Sequence, residues 1–250
     1  MAVIALAPVW VDPVTLHSLF GGAAPSTTPV PIETDPFRPA TNAPILRGTT
    51  VATDDFGREV PSGLGTAKQG GSYTQVGTGT IYVTGGSGTV SLANRSAGAA
   101  VLSDPSLSTV DELVTVALSS GAPSAEAGLS ARVSGDSFYA ALVTYLGGVA
   151  SVSVSSVVDG VWAIDAGPIP LPEIDISQPI RLRFDSFGFD PTTIRVRAWN
   201  VGAPEPGQWA IDIVDWAGHM QKAGGIGVAW AISDDRRGVI NVDDLVAQGE

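Results

Sequence analysis

Six aspartates stand in three adjacent pairs along the chain, and their carboxylates are the groups best suited to bind calcium. They are Asp54, Asp55, Asp234, Asp235, Asp243 and Asp244. Calcium is bound by about six to eight oxygen ligands, many of them carboxylates. The spacing of an EF-hand loop is absent, and aspartates commonly form and cap turns. We therefore favour turn-forming roles, and keep Asp55, Asp243 and Asp244 as the candidate ligands should calcium be a cofactor.

One segment, Glu173-Ile-Asp-Ile-Ser-Gln178, resembles the strand motif Glu-x-Asp-x-x-Glu of laminarinase-type glycosidases. Retaining hydrolysis needs two carboxyl groups about 5–5.5 Å apart, one of which protonates the leaving group. Gln178 replaces the second carboxylate of the motif, and an amide cannot supply that proton. Pro172 and Pro179 flank the segment and indicate a loop rather than a central strand. We therefore predict no catalytic residue here and no enzymatic activity.

Histidine and cysteine chemistry is equally restricted. The chain has two histidines, His17 and His219, and neither accompanies a recognisable nucleophile elbow, so we predict no Ser-His-Asp triad. Cysteine is absent, which excludes disulfides, thiolate catalysis and zinc bound by cysteine. The sequence therefore favours a binding or structural function over catalysis.

The charge of the chain argues against two classes of partner. The formal net charge is -12 for 250 residues, and nucleic acid, a polyanion, needs a basic surface. An acidic chain is also unsuited to an anionic membrane surface, and no apolar run approaches the roughly 18 residues of a membrane span. Residues 1–11 are apolar, but the positive charge that begins a signal peptide is missing, and Pro8, Asp12 and Pro13 interrupt the run. We expect a protein made in the cytosol that is not secreted by the usual route.

The elements that must position any site are short strands. From residue 79 onward, short apolar or alternating runs are separated by Gly, Ser and Asp. The predicted strands are 80–84, 89–92, 99–102, 112–118, 127–133, 138–146, 149–158, 161–164, 181–185, 194–199, 208–214, 224–232 and 239–246. Asp159-Gly160 and residues 134–137 are typical of hairpin turns, whereas the proline-rich residues 168–172 are expected to form a connecting loop. Many short strands at even spacing predict an all-β sandwich.

Two of these strands, 181–185 and 194–199, alternate most cleanly. One face carries the apolar residues Leu182, Phe184, Ile194, Val196 and Ala198. The other face carries the basic residues Arg181, Arg183, Arg195 and Arg197. We expect an outer face whose charges are neutralised by carboxylates, with a sulfate- or phosphate-binding strip as the alternative.

Residues 1–52 are predicted to form an extended N-terminal arm. Their eight prolines oppose helices and central strands, and residues 25–44 should form a stiff, polyproline-like spacer. The arm is nevertheless apolar, with the docking candidates Val9, Trp10, Val11, Leu16, Leu19 and Phe20. Such a segment suits docking on a neighbouring subunit, in which case the rest should fold without residues 1–45. The alternative is that the arm folds back on its own domain.

Residues 54–74 join the arm to the strands and are expected to form an ordered loop. Their glycines permit tight turns, and Phe56, Leu64 and Tyr73 are spaced as single apolar anchors. A phosphate cradle is not indicated, because no Gly-Lys-Ser/Thr follows the glycines.

Three motifs, in this order, resemble those of one family. The first is Asp-Asp-Phe-Gly-Arg at 54–58 with the glycine-rich residues that follow it. The second is the run from Arg197 to Trp209, and the third combines Gly-Gly-Ile-Gly-Val at 224–228 with Val-Asp-Asp at 242–244. Over residues 53–248 the chain is similar to the concanavalin-A-like, laminin-G-like sandwich domain of actinobacteriophage minor tail proteins.

This resemblance implies a concanavalin-A-like jelly-roll β-sandwich over residues 53–250, carried on a virion and contacting host-surface glycans, without known catalytic activity. The arm would bind other virion proteins, and the protein would be a homo-oligomer in the particle. A capsid decoration or head-fibre protein of the same build is one alternative. Another is a carbohydrate-binding module without a virion role.

In a carbohydrate-binding module, aromatic side chains stack on sugars. The aromatic candidates are Trp162, Trp199, Trp209, Trp216, Trp230, Tyr139 and Tyr145. Because aromatic side chains bury large areas, we expect most of them to lie in the core.

Overall fold

The computed structural model describes residues 48–93, 95–118, 124–146 and 148–250. In these ranges the chain forms fifteen strands and one turn of 3-10 helix at Gly218–Met220. The strands are β1 Thr49–Asp54, β2 Tyr73–Gly77, β3 Thr80–Thr84, β4 Ser87–Ala93, β5 Ala97–Leu107, β6 Val110–Leu118, β7 Ala125–Ser134, β8 Ser137–Leu146, β9 Val149–Val158, β10 Val161–Leu171, β11 Ile180–Phe187, β12 Thr192–Asn200, β13 Ile211–Asp215, β14 Gly224–Ile232 and β15 Arg237–Gly249. The all-β prediction is confirmed. Among the described residues, no helix has the length and apolar character needed to cross a membrane.

The strands pair in two antiparallel sheets. The eight-stranded sheet has the order β13-β12-β11-β6-β15-β4-β3, and β1 pairs with β15 as well. Strand β15 is long enough for β4 to pair with its first half and β1 with its second half. The seven-stranded sheet has the order β10-β9-β8-β7-β14-β5-β2. Inward side chains of both sheets join in one core cluster, so the two sheets stack as a sandwich, and the chain passes from one sheet to the other between β6 and β7.

One apolar core lies between the two sheets. Leu182, Phe184, Ile194 and Val196 are fully buried, as the alternation of β11 and β12 predicts. They join the inward side chains of the seven-stranded sheet, such as Leu129, in a single cluster. Each large apolar side chain buried in this way contributes roughly 1.5–3 kcal/mol to folding.

The predicted turns are also present. Asp159 and Gly160, with φ of 51° and 78°, connect β9 to β10 in the left-handed conformation that a tight hairpin requires. In the 54–74 loop, Phe56 and Leu64 are fully buried, and Tyr73 stacks on Phe56 with ring centroids 6.1 Å apart. This loop is ordered and anchored as the sequence predicts.

Several strand boundaries differ from the sequence prediction, and two of the differences change the organisation of the fold. Residues 168–172 were expected to form a loop, but β10 continues to Leu171 and pairs with β9. Prolines are accommodated there because β10 is an edge strand, and its register shifts between Ala166 and Ile169. The boundary expected between residues 52 and 53 falls inside β1, whose pairing with β15 makes residues 49–52 part of the sandwich. Strand β2 was not predicted.

The predicted arm lies almost entirely outside the described residues, which begin at Gly48. This applies to the spacer at 25–44, to His17 and to the docking candidates Val9, Trp10, Val11, Leu16, Leu19 and Phe20. Their roles stay predictions.

Candidate functional site

The outward surface of β6, β11, β12 and β13 combines charged and aromatic side chains. We call this surface the arginine face and define it by Asp111, Arg181, Arg183, Asp185, Arg195, Arg197, Asp212 and the loop residues Glu205 and Trp209. The strand register aligns its charges in rows. Asp111 on β6 stands opposite Asp185 on β11, which stands opposite Arg195 on β12. Arg195 in turn stands opposite Asp212 on β13 and donates to it over 3.2 Å.

Arg183 is the centre of the charge network. Its Nε donates to Asp111 Oδ1 over 2.7 Å, and its Nη2 donates to the other oxygen of the same carboxylate. Its Nη1 donates to Glu205 Oε1 over 2.8 Å. Two parallel hydrogen bonds between a guanidinium and a carboxylate are a strong and directional arrangement. Arg183 therefore fixes the position of Asp111 on the sheet and of Glu205 in the loop.

Arg197 holds the loop between β12 and β13 over the same face. Its guanidinium carbon lies 4.1 Å from the ring centroid of Trp209, a favourable cation–π geometry. It also donates to the carbonyl of Pro206 over 2.7 Å and forms an ion pair with Glu205. The loop therefore folds back and presents a half-buried indole beside fixed charged groups.

Asp185 is the carboxyl group of this face with the most unusual environment. It is buried, and its Oδ1 has no hydrogen-bond partner among the described residues. Burial, followed by the negative charge of Asp111, raises the pKa of Asp185 to about 6, although Arg195 and Arg183 oppose the shift. Because Oδ1 is almost inaccessible to solvent, it does not contact a ligand directly, and below about pH 6 the carboxyl is neutral.

The predicted calcium ligands are close together but already have partners. Asp55 accepts from the backbone N–H of Gly57 and pairs with Lys68, and Asp244 pairs with Arg181. The pairing of Asp54 with Leu245 brings Asp55 next to Asp244. Burial, together with the charges of Asp244 and Asp55, raises the pKa of Asp243. In the described ranges, no group of three or more His, Cys, Asp or Glu residues is arranged to hold a metal. The turn-forming prediction agrees with these contacts.

The segment 173–178 forms a turn between β10 and β11, as predicted. Asp175 Oδ1 accepts hydrogen bonds from the backbone N–H and the hydroxyl of Ser177, over 2.9 and 2.7 Å. These bonds lower the pKa of Asp175. This carboxylate therefore stabilises the turn and does not project from a central strand as a glycosidase nucleophile would. His219 lies in the 3-10 turn.

The seven aromatic candidates have different environments. Trp230, Tyr139 and Trp199 are buried, Trp162, Trp209 and Tyr145 are half-buried, and Trp216 is 68% exposed. The expectation that most of them lie in the core was therefore too strong. One of them, Trp209, belongs to the arginine face because it packs on Arg197. The buried Trp199 adjoins the face, since it stands opposite Arg181 across the strands.

Sequence reasoning missed four carboxylates of the site, Asp111, Asp185, Glu205 and Asp212. A signal was available for Asp185, because it shares the odd-numbered side of β11 with Arg181 and Arg183. The other three could not be found in this way, since they come from other strands and from a loop.

Comparison with known proteins supports the fold. No protein-family model matches the sequence, and no curated protein shows significant sequence similarity to it. Among solved structures, the carbohydrate binding module CBM66 from Bacillus subtilis is similar with a TM-score of 0.50 and 14% identity, over 70% of this chain and 95% of that one. A glycosyl hydrolase family 16 protein from Mycobacterium smegmatis is similar with a TM-score of 0.50 and 12% identity, over 80% of this chain and 100% of that one.

At such low identity these similarities establish the architecture alone. The class of protein that they define is an all-β sandwich of the concanavalin-A-like type, as the sequence motifs indicated. They do not bear on the resemblance to phage minor tail proteins.

Proposed function

We propose that this protein is a carbohydrate-binding β-sandwich whose arginine face binds a glycan without cleaving it. The observation that carries the proposal is the indole of Trp209, held by Arg197 next to the Arg183–Asp111–Glu205 network. Binding sites for small polar ligands combine aromatic surface with a few oriented polar groups. A sugar ring presents both an apolar face and a rim of hydroxyl groups, and this surface matches both. The shared fold with a carbohydrate binding module adds support.

The charge balance of the face favours a neutral glycan. Each of its four arginines has a carboxylate partner or, for Arg197, a carboxylate shared with Arg183. A sulfated or phosphorylated ligand would need positive charge that is not already neutralised. The carboxylates can instead accept hydrogen bonds from sugar hydroxyls, and the guanidinium groups can donate hydrogen bonds to them. The sulfate-binding alternative is therefore disfavoured.

Glycan binding is tested by titrating the full-length protein with neutral polysaccharides and oligosaccharides in a calorimeter. Trp209→Ala should weaken binding at least about tenfold, as is common for a central aromatic contact. Trp216→Ala is the matched control, because Trp216 is exposed but lies beyond the end of β13. Equal losses in both variants, or no binding by the unmodified protein at millimolar ligand, would remove the proposal.

The non-catalytic part of the proposal predicts no release of reducing sugar from any glycan that binds. Its support is the absence of a second carboxylate at Gln178 and the engagement of Asp175 in a turn. Release that disappears in Glu173→Gln or in Asp185→Asn would contradict it.

A virion role is proposed on the sequence motifs alone. In this reading the protein is a minor tail protein, or a decoration or head-fibre protein, present in several copies and attached through its arm. The test is a density map of the assembled particle together with the mass spectrum of its proteins. If the protein is missing from purified particles, the carbohydrate-binding module without a virion role is the better description.

A further inference from the structure

The outward surface of the seven-stranded sheet is unlike any ordinary solvent-exposed sheet. We call it the small-residue face and define it by Ser130, Phe138, Ala140, Leu142, Ser153 and Ala229. Four of these residues are alanine or serine. Phe138, Ala140, Leu142 and Ala229 belong to an apolar cluster built only from strands of this sheet, separate from the core between the sheets.

This face is closed to water in a single copy of the chain. Leu142 is 1% exposed, although Gly128 stands opposite it on β7 and Ser153 on β9. Its outward neighbour on the same strand, Ala140, is fully buried. Glycine, alanine and serine are too short to hide a leucine that projects from a sheet. A further layer must therefore cover the face.

The described part of the chain does not provide this layer. The described elements that pack substantially on this sheet from outside it are the 3-10 turn and strands of the other sheet, and they meet it through the core. Residues 119–123 are too few to form the layer, since they must also connect β6 in one sheet to β7 in the other. A cover must also span the sheet, and the distance from β9 to β5 is already about 20 Å, at about 4.8 Å per strand spacing.

The N-terminal segment has the length and composition that the cover needs. Residues 1–32 contain a single Asp or Glu residue, Asp12, and no Lys or Arg, and they carry the apolar docking candidates. The segment joins the sandwich at Gly48, beside Gly249. Twenty residues in polyproline form extend about 60 Å, so the chain can reach any part of the sheet. Small side chains on a sheet leave room for large ones such as Trp10 and Phe20.

We infer that residues 1–47 fold back and cover the small-residue face of their own chain, as a third layer of the sandwich. A titratable group at the margin is consistent with this cover. Glu126, opposite Thr144 on β8, has its pKa raised to about 7 by burial. This inference is independent of glycan binding. It selects the alternative in which the arm belongs to its own domain. If it is right, the apolar anchors of the arm are not free to dock on a neighbour, and the proposed virion protein would attach through another surface.

The test uses the absence of cysteine in the full-length chain. A single cysteine is introduced as Ser153→Cys on the face or as Ser62→Cys at an exposed loop position, and its reaction with a maleimide is timed. We expect Ser153→Cys to react at least about tenfold more slowly, because reaction requires local opening of the cover. Adding Trp10→Asp and Phe20→Asp should remove this protection and leave the rate at Ser62→Cys unchanged. The rates should not depend on protein concentration.

A second measurement does not require substitutions in the arm. Ile164 is 58% exposed on β10 at the rim of the face, opposite Ser155, so Ile164→Cys can carry a benzophenone photocross-linker. We expect cross-links to residues 1–47 in a product of monomeric size. The control is Val214→Cys on the other sheet, which should give none.

Each other outcome overturns the inference. Equal maleimide rates at the two serine positions would mean that the face is open. Protection that falls on dilution, with cross-links in a dimeric product, would mean that a second copy covers it. A third outcome combines the two measurements. If Ser153→Cys stays protected in the variant with both arm substitutions, and Ile164→Cys gives no cross-links to residues 1–47, another part of the chain provides the cover.

Discussion

The two outward faces of this sandwich differ although both belong to antiparallel sheets of similar size. The arginine face keeps contact with water through side chains such as Arg181 and Asp212, whose exposed fractions are 25% and 50%. The small-residue face excludes water and behaves as a second core. A sheet face that evolves for solvent or ligand carries long polar side chains, whereas a face that packs against another layer carries small or apolar ones. The composition of each outward face therefore indicates what lies against it.

The strongest test of this comparison is to remove the proposed third layer. Deleting residues 1–45 should expose the small-residue face and lower the melting temperature by at least about 6 °C. This estimate takes two or more anchors at roughly 1.5–3 kcal/mol each and about 2–4 °C per kcal/mol. Aggregation and binding of a hydrophobic dye should accompany the loss.

The docking hypothesis from the sequence gives the opposite result for the same deletion, a soluble domain that melts cooperatively. Calorimetry on the truncated and full-length proteins decides between them. An unchanged melting temperature would show that the arm contributes nothing to its own domain.

A single substitution on each outward face sharpens the same comparison. Leu142→Ala should destabilise the protein by about 2–5 kcal/mol, the range for truncating a leucine in a packed core. Val214→Ala, on the 50%-exposed Val214 of β13, should change stability by less than about 0.5 kcal/mol. Urea denaturation measures both values, and similar values for the two variants would contradict a closed small-residue face.

The ion pair at the centre of the arginine face should matter more than a surface pair. Arg183→Gln leaves the nearly buried Asp111 without its bidentate partner. We expect the free energy of unfolding to fall by about 2–3 kcal/mol, a value reduced to allow for the partial exposure of the pair. The control Lys68→Gln breaks an exposed pair with Asp55 and should have no measurable effect on stability. Denaturation of both variants at two salt concentrations tests this difference, which would vanish if the network were fully hydrated.

The last prediction concerns pH, and its effect is confined to part of the pH range. The pKa of Asp185 is raised from 3.8 to about 6 in the folded state, so its protonated form stabilises the fold below pH 4 and this contribution is lost as the pH rises through 6. Asp185→Asn should therefore match the unmodified protein below pH 4 and exceed it at pH 7.5, by up to about 3 kcal/mol. Stability curves of both proteins between pH 4 and 8 measure the difference. A constant difference across this range would mean that Asp185 does not titrate as described.

The strands and their inward faces could be predicted from the sequence because side-chain orientation repeats every two residues. The same rule applies to Glu112, which has the parity of Val114 and Val116 and is fully buried with them. Burial raises the pKa of Glu112 well above its ordinary value. The end of β10 was missed because prolines suppress a strand signal, and the position of β10 at the sheet edge, which permits them, is not visible in local sequence.

What the sequence by itself determined is the all-β class, the tight hairpin at Asp159-Gly160, and the separation of apolar from basic residues on β11 and β12. These follow from local conformational preferences and from alternation within one strand. Only the tertiary structure decided which carboxylates neutralise the arginines, because Asp111 reaches Arg183 through the pairing of strands about 70 residues apart in the chain. It also decided that the outward face of the seven-stranded sheet is closed, because burial of an alanine or a serine depends on the layer above it and not on the residue itself.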